Sequence, residues 1–181
     1  MSLVHHPRPA FAIAAAAALL REHFGVDGTL APLDSERDQN FHVMGGGAAF
    51  VLKFANAAEP ESAMWFQSAL LRHVHAADAR LPVPGLVPTL AGPDLAFVDG
   101  PTGEQHAVRL VRYLEGQPLA HARASASTYR GLGRVLGRLD RALQSFGHPG
   151  AFRDFDWDLR RVPACRPRLD AVRDPSRRAL A

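Results

Sequence analysis

One lysine stands out among the residues that could do chemistry. Lys53 lies in the run Ala49-Phe50-Val51-Leu52-Lys53-Phe54, which has the pattern of a buried strand carrying a single cation. It is the only lysine among 181 residues, whereas Arg occurs twenty times (21 Lys and Arg together, less this one). A lysine ammonium is a compact charge on a flexible stem and an arginine guanidinium is a planar fork. In a chain that otherwise uses arginine, the one lysine stands where a guanidinium would not fit. We therefore interpret Lys53 as a functional cation, with compositional drift as the alternative.

Other patterns that could do chemistry are weaker. The carboxylates of Asp154-x-Asp156-x-Asp158 alternate, but an EF-hand would need Gly and Glu where the sequence has Leu159 and Cys165. We expect these acids to cap a helix and to pair with Arg160 and Arg161. His73 and His75 are two positions apart and point away from each other on a helix. The sequence contains no Walker A motif, no G-x-S-x-G elbow and no Cys/His zinc spacing.

Hydrophobic periodicity and turn residues predict the elements around Lys53. An alanine-rich helix is expected from about Pro9 to Phe24, ended by Gly25. A three-stranded meander follows at 28–33, 41–44 and 49–54, with a polar turn at 34–40 and a reversal at 45–47. We then expect a helix at about 59–77, strands at 86–90, 95–98 and 107–113, and a helix capped by Ser127. The arginines of that last helix are predicted to form a solvated face: Arg130, Arg134, Arg138 and Arg141.

Composition narrows the class of protein. The chain is long enough for one full domain, and its net charge of +3 is weak support for nucleic-acid binding. The basic tail near residues 166–178 lacks interleaved aromatic residues, so we predict a solvated end rather than a nucleic-acid arm. Cys165 is the only cysteine, and no run approaches the roughly 18 apolar residues that cross a bilayer. These features predict a cytoplasmic protein that binds neither nucleic acid nor membrane.

Five segments in a fixed order resemble the aminoglycoside phosphotransferase and choline kinase superfamily. They are 33–41 (LDSERDQNF), 50–53 (FVLK), 67–74 (QSALLRHV), 81–84 (LPVP) and 111–116 (VRYLEG). Within the superfamily they look most like the hydroxylysine kinase-like branch, which also occurs as an N-terminal domain ahead of class III aminotransferases. The resemblance covers about residues 9–161. It implies an ATP-dependent phosphotransferase that uses magnesium and acts on the hydroxyl group of a small amine, amino alcohol or aminoglycoside-like molecule.

The resemblance also implies a fold and a nucleotide site. The fold is α+β: a protein-kinase-like N-terminal lobe with a mainly antiparallel sheet plus a helix, then the first helices of an incomplete α-helical C-terminal lobe. We expect an N-terminal helix at 1–27, the lobe and hinge at 28–116, and the start of the helical lobe at 117–181. The residues implied in nucleotide binding are Ser35, Gln39, Asn40, Lys53, Gln67, Val111 and Tyr113.

Each of these residues has an implied task. Lys53 contacts the α- and β-phosphates, the turn from Ser35 to Asn40 covers the phosphates, and hinge backbone near Val111 and Tyr113 binds adenine. Gln67 stands where most of the superfamily has the glutamate that holds the lysine, so it would orient Lys53 by a hydrogen bond. Glu61 is the alternative partner, and an ordinary surface amide is the alternative for Gln67.

The family's catalytic loop, His-x-Asp-x-x-x-x-Asn, does not occur in the sequence. His148 is followed by Pro149 and Gly150, so we predict no catalytic residue and no metal ligand in this chain. The expectation is a fragment that is inactive alone and is completed by a fused or separate C-terminal half. The alternatives are a non-catalytic nucleotide-binding or interaction module and, less favoured, a basic nucleic-acid-binding protein.

Overall fold

The computed structural model describes residues 7–152 and 158–178. Helix α1 (Ile13–Phe24) precedes strands β1 (Gly28–Leu33), β2 (Gln39–Gly45) and β3 (Ala48–Phe54). Helix α2 (Glu61–Ala77) then leads to β4 (Leu86–Val87), β5 (Ala96–Asp99) and β6 (Gln105–Arg112), and α3 (Ala126–Leu143) follows. Residues 7–151 belong to one compact unit, and residues 152 and 158–178 belong to another.

The six strands form one antiparallel sheet in the order β1-β2-β3-β6-β4, with β5 also paired to β6. The first three strands are the predicted meander. Gly46 and Gly47 have φ of 58° and 74° in the β2–β3 turn, which only glycine adopts readily. The sheet therefore places β3, with Lys53, in its centre between β2 and β6.

Helix α1 covers one face of the sheet and makes the main core there. Its residues Ala16, Leu20 and Phe24 are buried, as are the strand residues Phe41, Phe54 and others that face them. The ring of Phe11 stacks on that of Phe54 with centroids 4.2 Å apart. Gly25 ends the helix at φ 65°, as predicted, whereas the helix begins at Ile13 rather than near Pro9.

Helix α2 lies on the opposite face of the sheet. Met64 packs with Ala55 and Leu95 in a smaller cluster, and the rings of Trp65 and Phe97 have centroids 6.2 Å apart. The buried side of α2 includes the polar residue Ser68, and the neighbouring Gln67 accepts a hydrogen bond from Arg109 of β6. This face of the sheet carries Lys53.

Helix α3 packs against the C-terminal half of α2. Val74, Leu81 and Ala142 are buried together, and the Arg138 guanidinium donates to both carboxylate oxygens of Asp78, at 2.7 and 2.8 Å. Arg138 is therefore not part of a freely solvated face as predicted. The cap is Ser125, whose hydroxyl accepts from the Thr128 N–H, and not Ser127.

The N-terminal half of α3 presents apolar side chains to solvent. Tyr129, Leu132 and Leu136 are 60%, 46% and 50% exposed. Leu139 and Leu143, later in the same helix, pack against the cluster of Val74, Leu81 and Ala142.

The second unit contains a 3₁₀ helix (Leu159–Ala171) and a short helix α4 (Pro175–Arg178). Asp158 caps the 3₁₀ helix by accepting from the Arg160 N–H, and its carboxylate pairs with the Arg160 side chain at 2.6 Å. This agrees with the predicted capping and pairing of Asp158. Asp154 and Asp156 lie outside the described residues. Across the part of the chain that is described, none of the helices has the length and apolar character to cross a bilayer.

Candidate active site

Lys53 lies in the middle of a polar row that crosses three strands. It is directly opposite Asn40 of β2 on one side and Arg109 of β6 on the other. Directly opposite residues in an antiparallel sheet project from the same face, so all three side chains lie on the α2 face. Their neighbours along each strand, such as Leu52 and Leu110, point into the α1 core and are fully buried.

The electrostatic environment of Lys53 is dominated by burial. Desolvation lowers the pKa of its ammonium, the charge of Asp38 raises that pKa, and the nearby Arg109 lowers it further. Among the described residues Lys53 forms no hydrogen bond and no ion pair. The lysine is therefore a partly desolvated cation that lacks a bonded counterion in the described part of the chain.

Arg109 shares this environment. Burial lowers the pKa of its guanidinium and Asp38 raises it, although an arginine stays protonated at any physiological pH. Its Nη2 donates to Gln67 Oε1 at 2.6 Å, whereas its Nη1 is buried and has no hydrogen-bond partner among the described residues. Two adjacent cations thus share one face of the sheet, and Asp38 is the acid whose charge acts on both.

Asp38 ends the turn between β1 and β2. Its carboxylate accepts from the backbone N–H of Asn56 at 3.1 Å, and the buried Asn56 side chain donates to Arg37 O at 3.3 Å and to Pro7 O at 3.1 Å. Asn56 therefore ties the turn to the end of β3. These bonds hold the Asp38 carboxylate on the side of the sheet where Lys53 and Arg109 lie.

A small cavity opens between these charged groups and α2. Its volume is about 10 Å³, which is about the room that one water molecule needs. The cavity is lined by three charged side chains and four apolar ones: Asp38, Lys53, Arg109, Ala55, Met64, Leu95 and Ala107. The charged groups thus meet at a space that holds a single oxygen-sized atom.

The predicted contact between Gln67 and Lys53 is absent from the described residues. Gln67 of α2 accepts from Arg109 instead. Glu61, the alternative partner, accepts from the Trp65 indole N–H at 2.8 Å. The physical reason is register: Lys53 and Arg109 are side by side, and the α2 amide reaches the longer, forked side chain on β6.

The Gln39 side chain and the Ser35 carbonyl both contact the segment before α1. Gln39 lies opposite Phe54, and its amide exchanges two hydrogen bonds with the backbone of Phe11, at 2.8 and 2.9 Å. The carbonyl of Ser35 accepts from Arg8 Nη1 at 3.1 Å. The Gln39 side chain therefore holds the segment before α1 and does not join the row that contains Lys53.

Asn40 does join that row. Its Oδ1 is buried and has no hydrogen-bond partner among the described residues. Asn40 Oδ1 is thus a buried acceptor on the strand next to Lys53.

The predicted hinge residues lie at the end of β6. Val111 is buried and pairs with Val51 of β3 and Leu86 of β4. The Tyr113 N–H donates to Ala49 O at 3.0 Å, and the Tyr113 ring meets the His42 ring edge-on, with centroids 4.5 Å apart. The N–H of Tyr113 is thus already used within the sheet.

A sequence profile described as the phosphotransferase enzyme family matches residues 29–181. The chain belongs to this family. Hydroxylysine kinases are among its relatives: the Mus musculus protein is 27% identical over 191 residues, which cover 96% of this chain and 50% of the relative. The Danio rerio protein is 30% identical over 142 residues, with 73% and 39% covered. The chain thus spans about half the length of the curated relatives it matches, or less.

Solved phosphotransferase structures share the fold. A microcompartment-associated aminopropanol kinase has a TM-score of 0.63 at 20% identity, covering 87% of this chain and 49% of that one. A spectinomycin phosphotransferase in complex with ADP and spectinomycin has a TM-score of 0.64 at 12% identity, with 89% and 46% covered. These likenesses, together with the observed sheet and helices, confirm the predicted kinase-like N-terminal lobe and partial helical lobe.

Arg109 is a charged member of the row around Lys53 that the sequence analysis did not single out. A signal was present: Arg109 interrupts the apolar run Ala107-Val108-Arg109-Leu110-Val111 as Lys53 interrupts its own strand. Within residues 7–152 and 158–178, no group of three or more His, Cys, Asp and Glu side chains could hold a metal ion.

Proposed function

We propose that this chain is the nucleotide-binding lobe of an ATP-dependent kinase that phosphorylates a hydroxyl group on a small amine, amino alcohol or aminoglycoside-like molecule. The observation that carries the proposal is Lys53, a cation in the central strand that faces a polar cavity next to α2. A buried cation without a bonded counterion is costly unless an anion binds it, and a nucleotide phosphate is the anion that this family would supply.

The residues present fit a polyphosphate. Lys53 and Arg109 provide positive charge, and Arg109 Nη1 is a donor without a partner among the described residues. ATP supplies the phosphoryl group when bound. The chain's own residues would neutralise phosphate charge through Lys53, cover the phosphates with the turn from Ser35 to Asn40, and exclude water with α2.

Adenine is proposed to lie on the apolar surface that Val51 and Val111 form next to Tyr113. The backbone N–H groups of Arg112 and Tyr113 already donate to Gly85 O and Ala49 O. An adenine ring nitrogen would therefore accept a hydrogen bond from a backbone N–H other than these two. The Gln39 side chain holds the segment before α1 through Phe11, so this proposal gives it no contact with the nucleotide.

Magnesium and the catalytic base are proposed to be held by a complementary C-terminal half. In transfer, the acceptor hydroxyl oxygen bonds to the γ-phosphorus, the bond to the β–γ bridging oxygen breaks, and the hydroxyl proton goes to a base. The matched relatives are about twice as long as this chain. The missing functions would come from a fused or separate polypeptide, in the cytoplasm.

The acceptor class rests on the relatives' names. Hydroxylysine and aminopropanol, named for two of them, are small molecules with an amine and a hydroxyl group. Spectinomycin phosphotransferase extends the class to larger aminoglycoside-like acceptors. A phosphoryl acceptor of this class carries positive charge, which is compatible with the slight net charge of +3 on the whole chain.

The test is calorimetric titration of the purified chain with Mg-ATP. We expect saturable binding by the wild type and at least about a tenfold loss with Lys53→Met, because a charge-assisted contact is worth more than about 1.4 kcal/mol. Arg21→Met is the matched control, since it removes a mostly exposed cation on the other face of the sheet. Equal affinity of Lys53→Met and the wild type would reject the assignment.

A non-catalytic nucleotide-binding module is the second candidate. One experiment distinguishes the two candidates. Adding the C-terminal half of a related hydroxylysine kinase should yield phosphoryl transfer from ATP to hydroxylysine only if the lobe is part of a kinase. Binding without transfer under those conditions favours the module.

A further inference from the structure

We propose that Arg109 is a second phosphate-binding cation of this site and that Gln67 positions Arg109, not Lys53. The inference rests on the proposed nucleotide-binding function and adds a residue to it. Its basis is the side-by-side placement of Lys53 and Arg109 on β3 and β6, together with the 2.6 Å hydrogen bond between Arg109 Nη2 and Gln67 Oε1.

The first argument concerns the unused donor of Arg109. A guanidinium has five N–H donors and cannot lose its charge at physiological pH. Nη2 is held by Gln67, which leaves Nη1 buried beside the cavity without a partner among the described residues. The cavity has room for about one oxygen-sized atom, so it fits one oxygen of a phosphate rather than a whole phosphate group.

The second argument concerns charge. Asp38 is the acid that acts on both Lys53 and Arg109, so the three groups together carry a net charge of +1. A glutamate at position 67 would form a bidentate ion pair with Arg109 and cancel that excess. The neutral Gln67 orients the guanidinium through one hydrogen bond and leaves its charge available to an anion.

The third argument is the arrangement of the row. Lys53 lies directly between Asn40 of β2 and Arg109 of β6, on one face of the sheet. Asn40 Oδ1 is an acceptor and cannot bind a phosphate oxygen, so any contact of Asn40 with phosphate would come from its Nδ2–H groups. The positive charge of the row therefore comes from Lys53, which is central, and from Arg109 next to it.

The experiment measures binding of Mg-ADP, inorganic pyrophosphate and adenosine to the wild type and to four variants, by calorimetry at neutral pH. The variants are Arg109→Met, Arg109→Lys, Gln67→Glu and the control Arg21→Met. We expect Arg109→Met to weaken Mg-ADP and pyrophosphate about tenfold or more and to leave adenosine unchanged. Arg109→Lys keeps the charge and should retain most of the affinity.

Gln67→Glu gives the sharpest result. If Gln67 positions Arg109, the new carboxylate pairs with the guanidinium, and pyrophosphate binding falls about tenfold. If Gln67 serves Lys53, as glutamate does in most of the superfamily, the substitution leaves binding unchanged or strengthens it. The second outcome overturns the inference, as does wild-type affinity in Arg109→Met.

The outcomes separate this inference from the proposed function. Loss of Mg-ADP binding in Lys53→Met together with wild-type binding in Arg109→Met would reject the role of Arg109 and keep the nucleotide site. No binding of Mg-ADP or pyrophosphate by a folded wild-type chain would reject both. Circular dichroism and thermal unfolding establish that each variant is folded, and Arg109→Lys provides the test if Arg109→Met does not fold.

Discussion

Asp38 is joined to Asn56 by a hydrogen bond of 3.1 Å from the Asn56 backbone N–H to the Asp38 carboxylate. This bond links the turn before β2 to the residue two positions after β3. It keeps one negative charge at the cavity that Lys53 and Arg109 share. Asp38 therefore limits the excess positive charge of the site in the absence of a bound anion.

Replacing Asp38 by asparagine should have opposite effects on anion affinity and on the stability of the fold. The amide oxygen can still accept from Asn56, but the negative charge is gone. We expect pyrophosphate affinity to rise about threefold to tenfold and the free energy of unfolding to fall by about 1–2 kcal/mol, because two cations are left without a counter-charge. Calorimetry and urea unfolding measure the two effects, and a change of both in the same direction would contradict this account.

Lys53→Met should stabilise the folded chain while it abolishes nucleotide binding. Replacing a buried, unpaired charge by an apolar side chain of similar length is often stabilising, here by roughly 1 kcal/mol at neutral pH. Urea unfolding of the variant, the wild type and Arg21→Met measures this. A variant less stable than the wild type would mean that the ammonium has a favourable partner in the folded state.

The stability difference between these two proteins should depend on pH. The folded-state pKa of Lys53 lies below its ordinary value of 10.5, so the unfolded chain binds more protons between those two pKa values. Stability of the wild type therefore rises with pH in that window, whereas below it the cost of the buried ammonium is fully present and does not change with pH. Thermal unfolding up to pH 10.5 should show the advantage of Lys53→Met shrinking, and a constant advantage would argue against a depressed pKa.

Gln39→Ala should loosen the chain before α1 and leave nucleotide binding intact. The variant loses two hydrogen bonds with Phe11, which are together worth about 1–3 kcal/mol. Hydrogen exchange of residues 7–12 should become faster. Asn40→Ala, one position along β2 and on the other face, should show the reverse pattern: weaker Mg-ADP binding and unchanged exchange in that segment. Weaker nucleotide binding in Gln39→Ala would restore the role that the sequence implied.

Arg138→Met should release α3 from α2 at neutral pH. Hydrogen bonds from Arg138 lower the pKa of Asp78 below its ordinary value of 3.8, so this contact stabilises the fold above that pH and is lost as the pH falls through the folded-state pKa. An NMR titration of the Asp78 carboxyl should show its pKa rise in the variant. Exchange within α3 should also accelerate, and an unchanged carboxyl titration would contradict the assigned cause.

Local rules predicted much of the fold. Gly25 ends α1, the glycines at 46 and 47 turn the chain between β2 and β3, and the apolar period of α2 is where the sequence indicates it. The cap of α3 was misplaced by two residues because Ser125 and Ser127 are both good capping residues. Only the reciprocal bond with Thr128 separates them.

The site was harder to predict because it depends on register between distant strands. Lys53 was found from its strand alone, whereas the importance of Arg109 follows from its position opposite Lys53. The partner of Gln67 depends on which of two adjacent cations an α2 amide reaches. The side of β2 to which Gln39 belongs depends on one residue of register, since a shift by one exchanges the two faces.

The pairing of β3 with β6 also has a consequence in time. The strands of the meander β1-β2-β3 are joined by short turns. By contrast, the paired residues Phe54 and Val108 are separated by more than fifty residues of sequence. Contacts that close long loops form late in folding, because the chain loses conformational entropy on closing the loop before the new contacts stabilise it. The two cations are thus brought together only after the local hairpins exist, so refolding followed through the nucleotide site should lag behind refolding followed through the β2–β3 hairpin.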